Sequence, residues 1–133
     1  EGKIIALDPE SSLTTWMEER KKRDSLDNVS IHKITENDPE LGQLSDEIDL
    51  LFVGYTYFHF GDPVTYFRDK VYPYVQDKTV VAIAEMAPVQ GQPRHTVSAQ
   101  QVIIEMAEAG FQIDAEPTTI YDQYLLIFKK SSQ

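Results

Sequence analysis

Lys3-Ile4-Ile5-Ala6-Leu7-Asp8-Pro9 is the stretch that decides how this chain is read. Four apolar residues set between a lysine and an acid predict a short strand covered on both faces, as in a parallel sheet. The strand ends on a lone carboxylate, Asp8, and open α/β sheets bind their ligands at the carboxyl ends of strands. No earlier element stands ahead of it to pair with.

Outward from that strand, the Ser11/Ser12 pair predicts a helix start, with Leu13, Trp16 and Met17 on one apolar face and the charged run 18–24 on a solvated one. Leu26-Asp27-Asn28 makes a turn. Val29-Ser30-Ile31-His32-Lys33-Ile34 then alternates at period two, as a half-buried edge strand does. Residues 35–47 are rich in Asp, Glu, Asn, Pro and Gly, have no period, and read as loop. Ile48-Asp49-Leu50-Leu51-Phe52-Val53-Gly54 is a second buried-strand run, expected near the sheet centre, and an aromatic loop, residues 55–61, follows it. Asp62 caps a helix with Pro63 at its first position, Val64, Phe67, Val71 and Val75 forming the buried stripe until Pro73 limits it. Val80-Val81-Ala82-Ile83 is a third buried strand, and residues 85–97 form a long loop. Ser98-Ala99-Gln100-Gln101 matches a capping box, Gln101 reaching back, for a helix that Gly110 closes. Phe111 to Ala115 and Tyr124 to Phe128 form an antiparallel hairpin around residues 117–122. Strands and helices in this order predict an α/β three-layer sandwich with a mostly parallel sheet and a C-terminal antiparallel hairpin, one domain over residues 1–133.

Composition narrows the partners. Twelve Lys+Arg stand against 22 Asp+Glu, a formal charge of -10, which repels phosphate backbones and anionic lipid, so neither nucleic acid nor a membrane is expected as partner. Without cysteine the chain has no disulfide scaffold, thiolate metal site or cysteine nucleophile. No apolar run approaches the ~18 residues of a membrane span, and a soluble, cytoplasmic protein is expected. His32, His59 and His95 lack ligand spacing, so no metal site is expected. Tyr66 and Lys70 match the YxxxK pattern of short-chain dehydrogenases, but they fall in an amphipathic helix with no evident serine partner.

The acid after the opening strand, the aromatic loop after the second buried strand and the terminal hairpin together resemble a class I S-adenosylmethionine (SAM) dependent methyltransferase. Asn28-Val29 before a strand, residues 48–52 before an aromatic/His loop, Asp62-Pro63 at a helix start, Arg94-His95-Thr96-Val97-Ser98 leading into residues 102–111, and Gln123-Tyr124 before the last strand fall in that family's order. The family's first strand, its GxGxG loop and the following helix have no counterpart. In the family that strand is central, lying between those that correspond here to residues 3–7 and 48–53. A gap there exposes unpaired backbone groups, which a net stability of ~5–15 kcal/mol cannot absorb. An upstream segment lost by truncation, a strand lent by another copy, or direct pairing of the two orphaned strands would close it.

The resemblance implies a small-molecule methyl acceptor and SAM as cofactor in the complete domain. It places Asp8 on the ribose hydroxyls, Thr35 and Glu36 near the adenine, and Gly54 and Tyr55 beneath the sulfonium. Tyr57, Phe58, His59 and Phe60 wall the acceptor pocket, with His59 as the group to take a proton and Tyr57 beside it; Arg94, His95 and Tyr124 reach the same mouth. Each residue has a plainer reading: Asp8 as a cap for the first helix, Glu36 as part of a solvated acidic loop, and the aromatic loop as packing with an exposed histidine. The expected protein is a truncated or split catalytic domain, weak or inactive alone. The alternative is a non-catalytic interaction module, a homodimer that closes the sheet gap by edge pairing. A nicotinamide-dependent oxidoreductase shares the ribose acid but not the terminal hairpin.

Overall fold

The computed structural model describes residues 2–91 and 95–132 and divides into two compact units, residues 1–40 and 41–133. In the first unit, strand β1 (Ile4–Asp8), helix α1 (Ser11–Arg23) and strand β2 (Val29–Lys33) form a parallel β-α-β arrangement. Ile4 lies opposite Val29 and Asp8 opposite Lys33. Asp8 shapes the exit from β1: its Oδ1 accepts the Glu10 N–H at 2.8 Å, which turns the chain into α1. Glu10, not a serine, is the N-cap, and its side chain makes no capping bond. At the other end Arg20 and Arg23 both bind Asp24, at 3.1 and 2.8 Å. The Arg23 hydrogen bond, with help from Arg20, pulls the Asp24 carboxyl down to about 2, and the cations complement the helix dipole. Asn28 Nδ2 donates to the Gly2 carbonyl at 3.0 Å, which fastens the start of β1 to the turn before β2.

The apolar face expected of α1 is not buried. Trp16 is 53% exposed, Leu13 is also exposed, and no α1 residue is buried. Two strands offer too little surface to cover a helix of more than three turns. The Arg20 guanidinium instead lies over the Trp16 ring, 5.4 Å from its centroid.

Among its described residues the second unit holds a five-stranded sheet and two α-helices. Strand β3 (Leu50–Gly54) leads through helix α2 (Pro63–Tyr66) to strand β4 (Val80–Met86). Helix α3 (Ala99–Glu108) and strands β5 (Phe111–Ile113), β6 (Thr118–Ile120) and β7 (Gln123–Lys130) follow. The order is β3-β4-β7-β5, with β6 also on β7. β3 and β4 are parallel, whereas β4, β5 and β6 all run antiparallel to β7. The expected α/β fold, parallel strands with a C-terminal antiparallel pair, is therefore present. β6 falls inside the residues read as that hairpin's turn, and Tyr121, with φ 56°, makes the tight bend before β7.

Local chemistry explains these elements. Asp62 Oδ1 accepts the Thr65 N–H at 3.0 Å with Pro63 in the first turn of α2. Beyond Tyr66 the helix widens into a π-turn over Phe67–Val71 and tightens to 3-10 over Tyr72–Tyr74 at Pro73. Phe67, Val71 and Val75 are buried as the stripe predicted, and Phe111 takes edge contacts from Phe67 and Tyr72 at 6.4 and 5.5 Å. Ser98 Oγ caps α3 through the Gln101 N–H, but the Gln101 side chain does not reach back; it donates to Glu105 Oε1 at 3.0 Å. Gly110 stops α3 with φ 96°. Along β4 and β7, Val81, Ile83, Leu126 and Phe128 are buried, as are Val102 and Met106 of α3. Thr79, also buried, donates to the Ile48 carbonyl at 2.6 Å and accepts the Gln76 N–H at 3.0 Å, fixing the entry of β4 beside β3.

β3 corrects one expectation. Among the described residues it is the outer strand of its sheet. Val80 N–H donates to the Asp49 carbonyl and Tyr55 N–H to the Ala84 carbonyl, at 2.9 and 2.8 Å. Odd-numbered residues thus serve β4, so by parallel alternation the N–H and C=O groups of Leu50, Phe52 and Gly54 project from the other edge. The Leu50 and Phe52 side chains are 58% and 60% exposed, where a covered strand was expected.

Candidate functional site

In the first unit the acid at the end of β1 is half-buried. Asp8 spends Oδ1 on the Glu10 N–H and keeps Oδ2 as an acceptor. Thr35 pairs with Asp38 in a narrow turn, Asp38 N–H donating to the Thr35 carbonyl at 3.4 Å. Asp38 Oδ1 accepts the Glu40 N–H at 2.8 Å, and Glu40 has φ 55°. The turn leaves Thr35 and Glu36 exposed.

In the second unit the chain leaves β3 through Gly54 and Tyr55. Tyr55 has φ 53°, a left-handed conformation that costs a non-glycine residue about 1–3 kcal/mol. Its phenol holds the bend by donating to Gln123 Oε1 at 2.7 Å, and Thr56 Oγ1 returns to the Gly54 carbonyl at 2.9 Å. A β-carbon at Gly54 would meet the Phe52 ring at 2.8 Å.

The 3-10 turn Tyr57–His59 sorts its three aromatics by direction. Tyr57 points inward, buried and stacked on Phe67 with centroids 5.7 Å apart, and its hydroxyl donates to Glu105 Oε2 at 2.8 Å. Burial first, then that bond to Glu105, pushes the phenol far above its ordinary value, so Tyr57 is a fixed donor and not a base. Phe58 is half-buried and His59 exposed. Phe58 meets the His59 ring at 4.0 Å and stacks at 6.0 Å and 8° on His95. The predicted residues Phe58, His59 and His95 are thus brought together, while Tyr57 is turned away into the core. Arg94 lies outside the described residues.

Tyr124 is buried and donates to the Val97 carbonyl at 2.7 Å. Burial raises its phenol most, followed by the charges of Glu85 and then Glu105. Glu85, Glu105 and Gln123 were not singled out from the sequence as polar partners. Period two carried one residue past Ala84 would have placed Glu85 on the same face as Val81 and Ile83, and Glu105 follows Gln101 at helical i,i+4 spacing. Among the described residues no group of three His, Cys, Asp or Glu is arranged to hold a metal, and no helix is long and apolar enough to cross a membrane.

No protein-family model matches the sequence, and comparison with curated proteins finds no match. Solved structures do match. A SAM-dependent methyltransferase from Aquifex aeolicus aligns with TM-score 0.81 at 14% identity, over 98% of this chain and 70% of that one. The O-methyltransferase NcsB1 from neocarzinostatin biosynthesis, solved with S-adenosyl-L-homocysteine (SAH) and 1,4-dihydroxy-2-naphthoic acid, gives 0.75 at 13%, over 97% of this chain and 42% of that one. A pericyclic reaction enzyme gives 0.63 at 12%, over 98% and 44%. The chain therefore has the fold of class I SAM-dependent methyltransferases. It spans less than half the length of the latter two proteins. A pericyclic enzyme on the same fold shows that the fold alone does not fix the reaction.

Proposed function

We propose that this chain is part of a SAM-dependent methyltransferase that acts on a small molecule. The observation that carries the proposal is Asp8: an acid at the carboxyl end of a parallel strand, half-buried, with one oxygen left to accept, on a fold shared with SAM-dependent enzymes. A ribose diol is the ligand group such a carboxylate suits. When bound, SAM supplies an electrophilic methyl group on a sulfonium, and the protein's part is alignment and desolvation more than acid–base chemistry. Asp8 would hold the ribose, with Thr35 and Glu36 facing the adenine. In the second unit Gly54, which presents no side chain, suits close approach of a ligand to the backbone. Phe58 and His95 offer a stacked aromatic surface for a planar acceptor, and exposed His59 beside them takes the acceptor's proton where one is lost.

Taken alone the chain binds SAM weakly in this proposal, because the sequence has no glycine-rich loop to hold the methionine carboxylate and amino group. Isothermal titration with SAH gives weak binding or none, and micromolar binding would overturn the incompleteness. Supplying a strand, loop and helix ahead of residue 1, ~60 residues of ordinary element length, restores binding. In that longer protein Asp8→Ala weakens SAH binding by about 1.5–3 kcal/mol, the loss of charge-assisted hydrogen bonds; unchanged affinity would remove Asp8 from the site.

The outer edge of β3 favours a second reading, a self-associating module without catalysis. Exposed Leu50 and Phe52 beside unpaired backbone groups are a template for another strand. Light scattering separates the readings: a stable dimer that Phe52→Lys dissociates and that binds no SAH supports the module, and a monomer removes it.

A further inference from the structure

Glu85 is the least compensated polar group described. It is 1% exposed, and its Oε1 accepts no hydrogen bond. Oε2 has only the neighbouring backbone, the Met86 N–H at 3.1 Å. The Tyr124 hydroxyl, the donor directly across the β4–β7 ladder from it, is committed elsewhere, to the Val97 carbonyl. Tyr57 donates to Glu105 Oε2 and Gln101 to Glu105 Oε1. The Glu85 and Glu105 charges are both felt at the Tyr124 phenol.

A buried carboxylate oxygen without a donor costs several kcal/mol unless something meets it. An unmet carboxylate oxygen favours a cation over a neutral donor, and a net charge of -10 steers cations toward the protein. A cation that must also donate a directed hydrogen bond to an oxygen among the buried Tyr124 and Val97 side chains is an ammonium on an apolar body. Entry displaces the Tyr124 hydroxyl from the Val97 carbonyl, the one bond that ties those two residues together in the structure.

We propose that Glu85 is the anchor for the protonated amine of a small-molecule ligand, seated between the ends of β4 and β7 next to Tyr124. As the amine-bearing class of methyl acceptor this rests on the methyltransferase proposal, but amine recognition is measured without SAM. The test is an amide NMR titration of the full chain at neutral pH with 2-phenylethylamine, protonated there, against 2-phenylethanol, its uncharged counterpart. The amine is expected to bind about tenfold more tightly, the gain from one charge-assisted hydrogen bond, with shifts centred on Met86, Val97 and Tyr124. Glu85→Gln abolishes the preference, whereas Glu105→Gln, which removes a charge already hydrogen-bonded, leaves most of it. Glu85→Met, which removes the uncompensated carboxylate, melts no lower than the parent. Equal binding of amine and alcohol overturns the proposal, as does equal loss in the two glutamine variants or unfolding of both Glu85 variants. Failure of SAH to bind bears on the methyltransferase proposal alone.

Discussion

Tyr57 shows how one side chain can contradict its sequence context. It sits in an aromatic loop that reads as a pocket wall, yet its ring belongs to the core and its hydroxyl to Glu105. Its raised phenol value has a definite sign in stability. The folded value lies above the unfolded one, so the contribution is complete below about pH 10 and is lost as pH rises through the folded value. Alkaline unfolding is therefore expected to start above about pH 10. Tyr57→Phe costs about 1–3 kcal/mol at neutral pH through the lost bond to a carboxylate and flattens the alkaline decline, both read from denaturant melts at two pH values. An unchanged decline would mean that Tyr124 carries it instead. Gly110 makes a second case. Alanine there must hold φ 96° and bring a β-carbon to 2.9 Å from the Tyr72 ring, so Gly110→Ala is expected to lose about 1–3 kcal/mol.

Among the elements, those set by local chemistry were legible in the sequence. Asp62-Pro63 starts α2, Ser98 caps α3, Gly110 ends it, and period two in residues 29–34 gives β2, because each depends on a few neighbouring residues. Ser98→Ala is expected to cost about 1 kcal/mol, measured as a shift in the thermal midpoint. What stayed illegible depends on distant partners. Leu13, Trp16, Leu50 and Phe52 carry the apolar pattern of covered surfaces, and pattern reports what a strand or helix is suited to pack against, not what lies against it. β6 was missed because Thr118-Thr119-Ile120 is short and takes its pairing from β7. Gln123 and Glu105 escaped notice as polar partners because the tyrosines that reach them stand far away in sequence.

At the scale of the whole chain, the alternation of strands and helices gave the fold class, while the acidic balance and the absent cysteines narrowed the partners and the chemistry. The candidate site was only partly foreseen: Phe58, His59 and His95 do meet, and the buried acid Glu85 emerges only from the fold. If the chain is a monomer, Phe52→Lys is expected to leave thermal stability within about 0.5 kcal/mol, since an exposed side chain off any special feature contributes little; a large loss in the monomer would place Phe52 in the core. The sequence has a single tryptophan, and that residue, Trp16, lies in the first unit with a guanidinium over its ring. Indole emission during unfolding therefore tracks residues 1–40 alone, while tyrosine and phenylalanine ellipticity in the near ultraviolet is dominated by the aromatic cluster around Phe67. One sample, followed by both signals, discloses whether the two parts melt together or in turn.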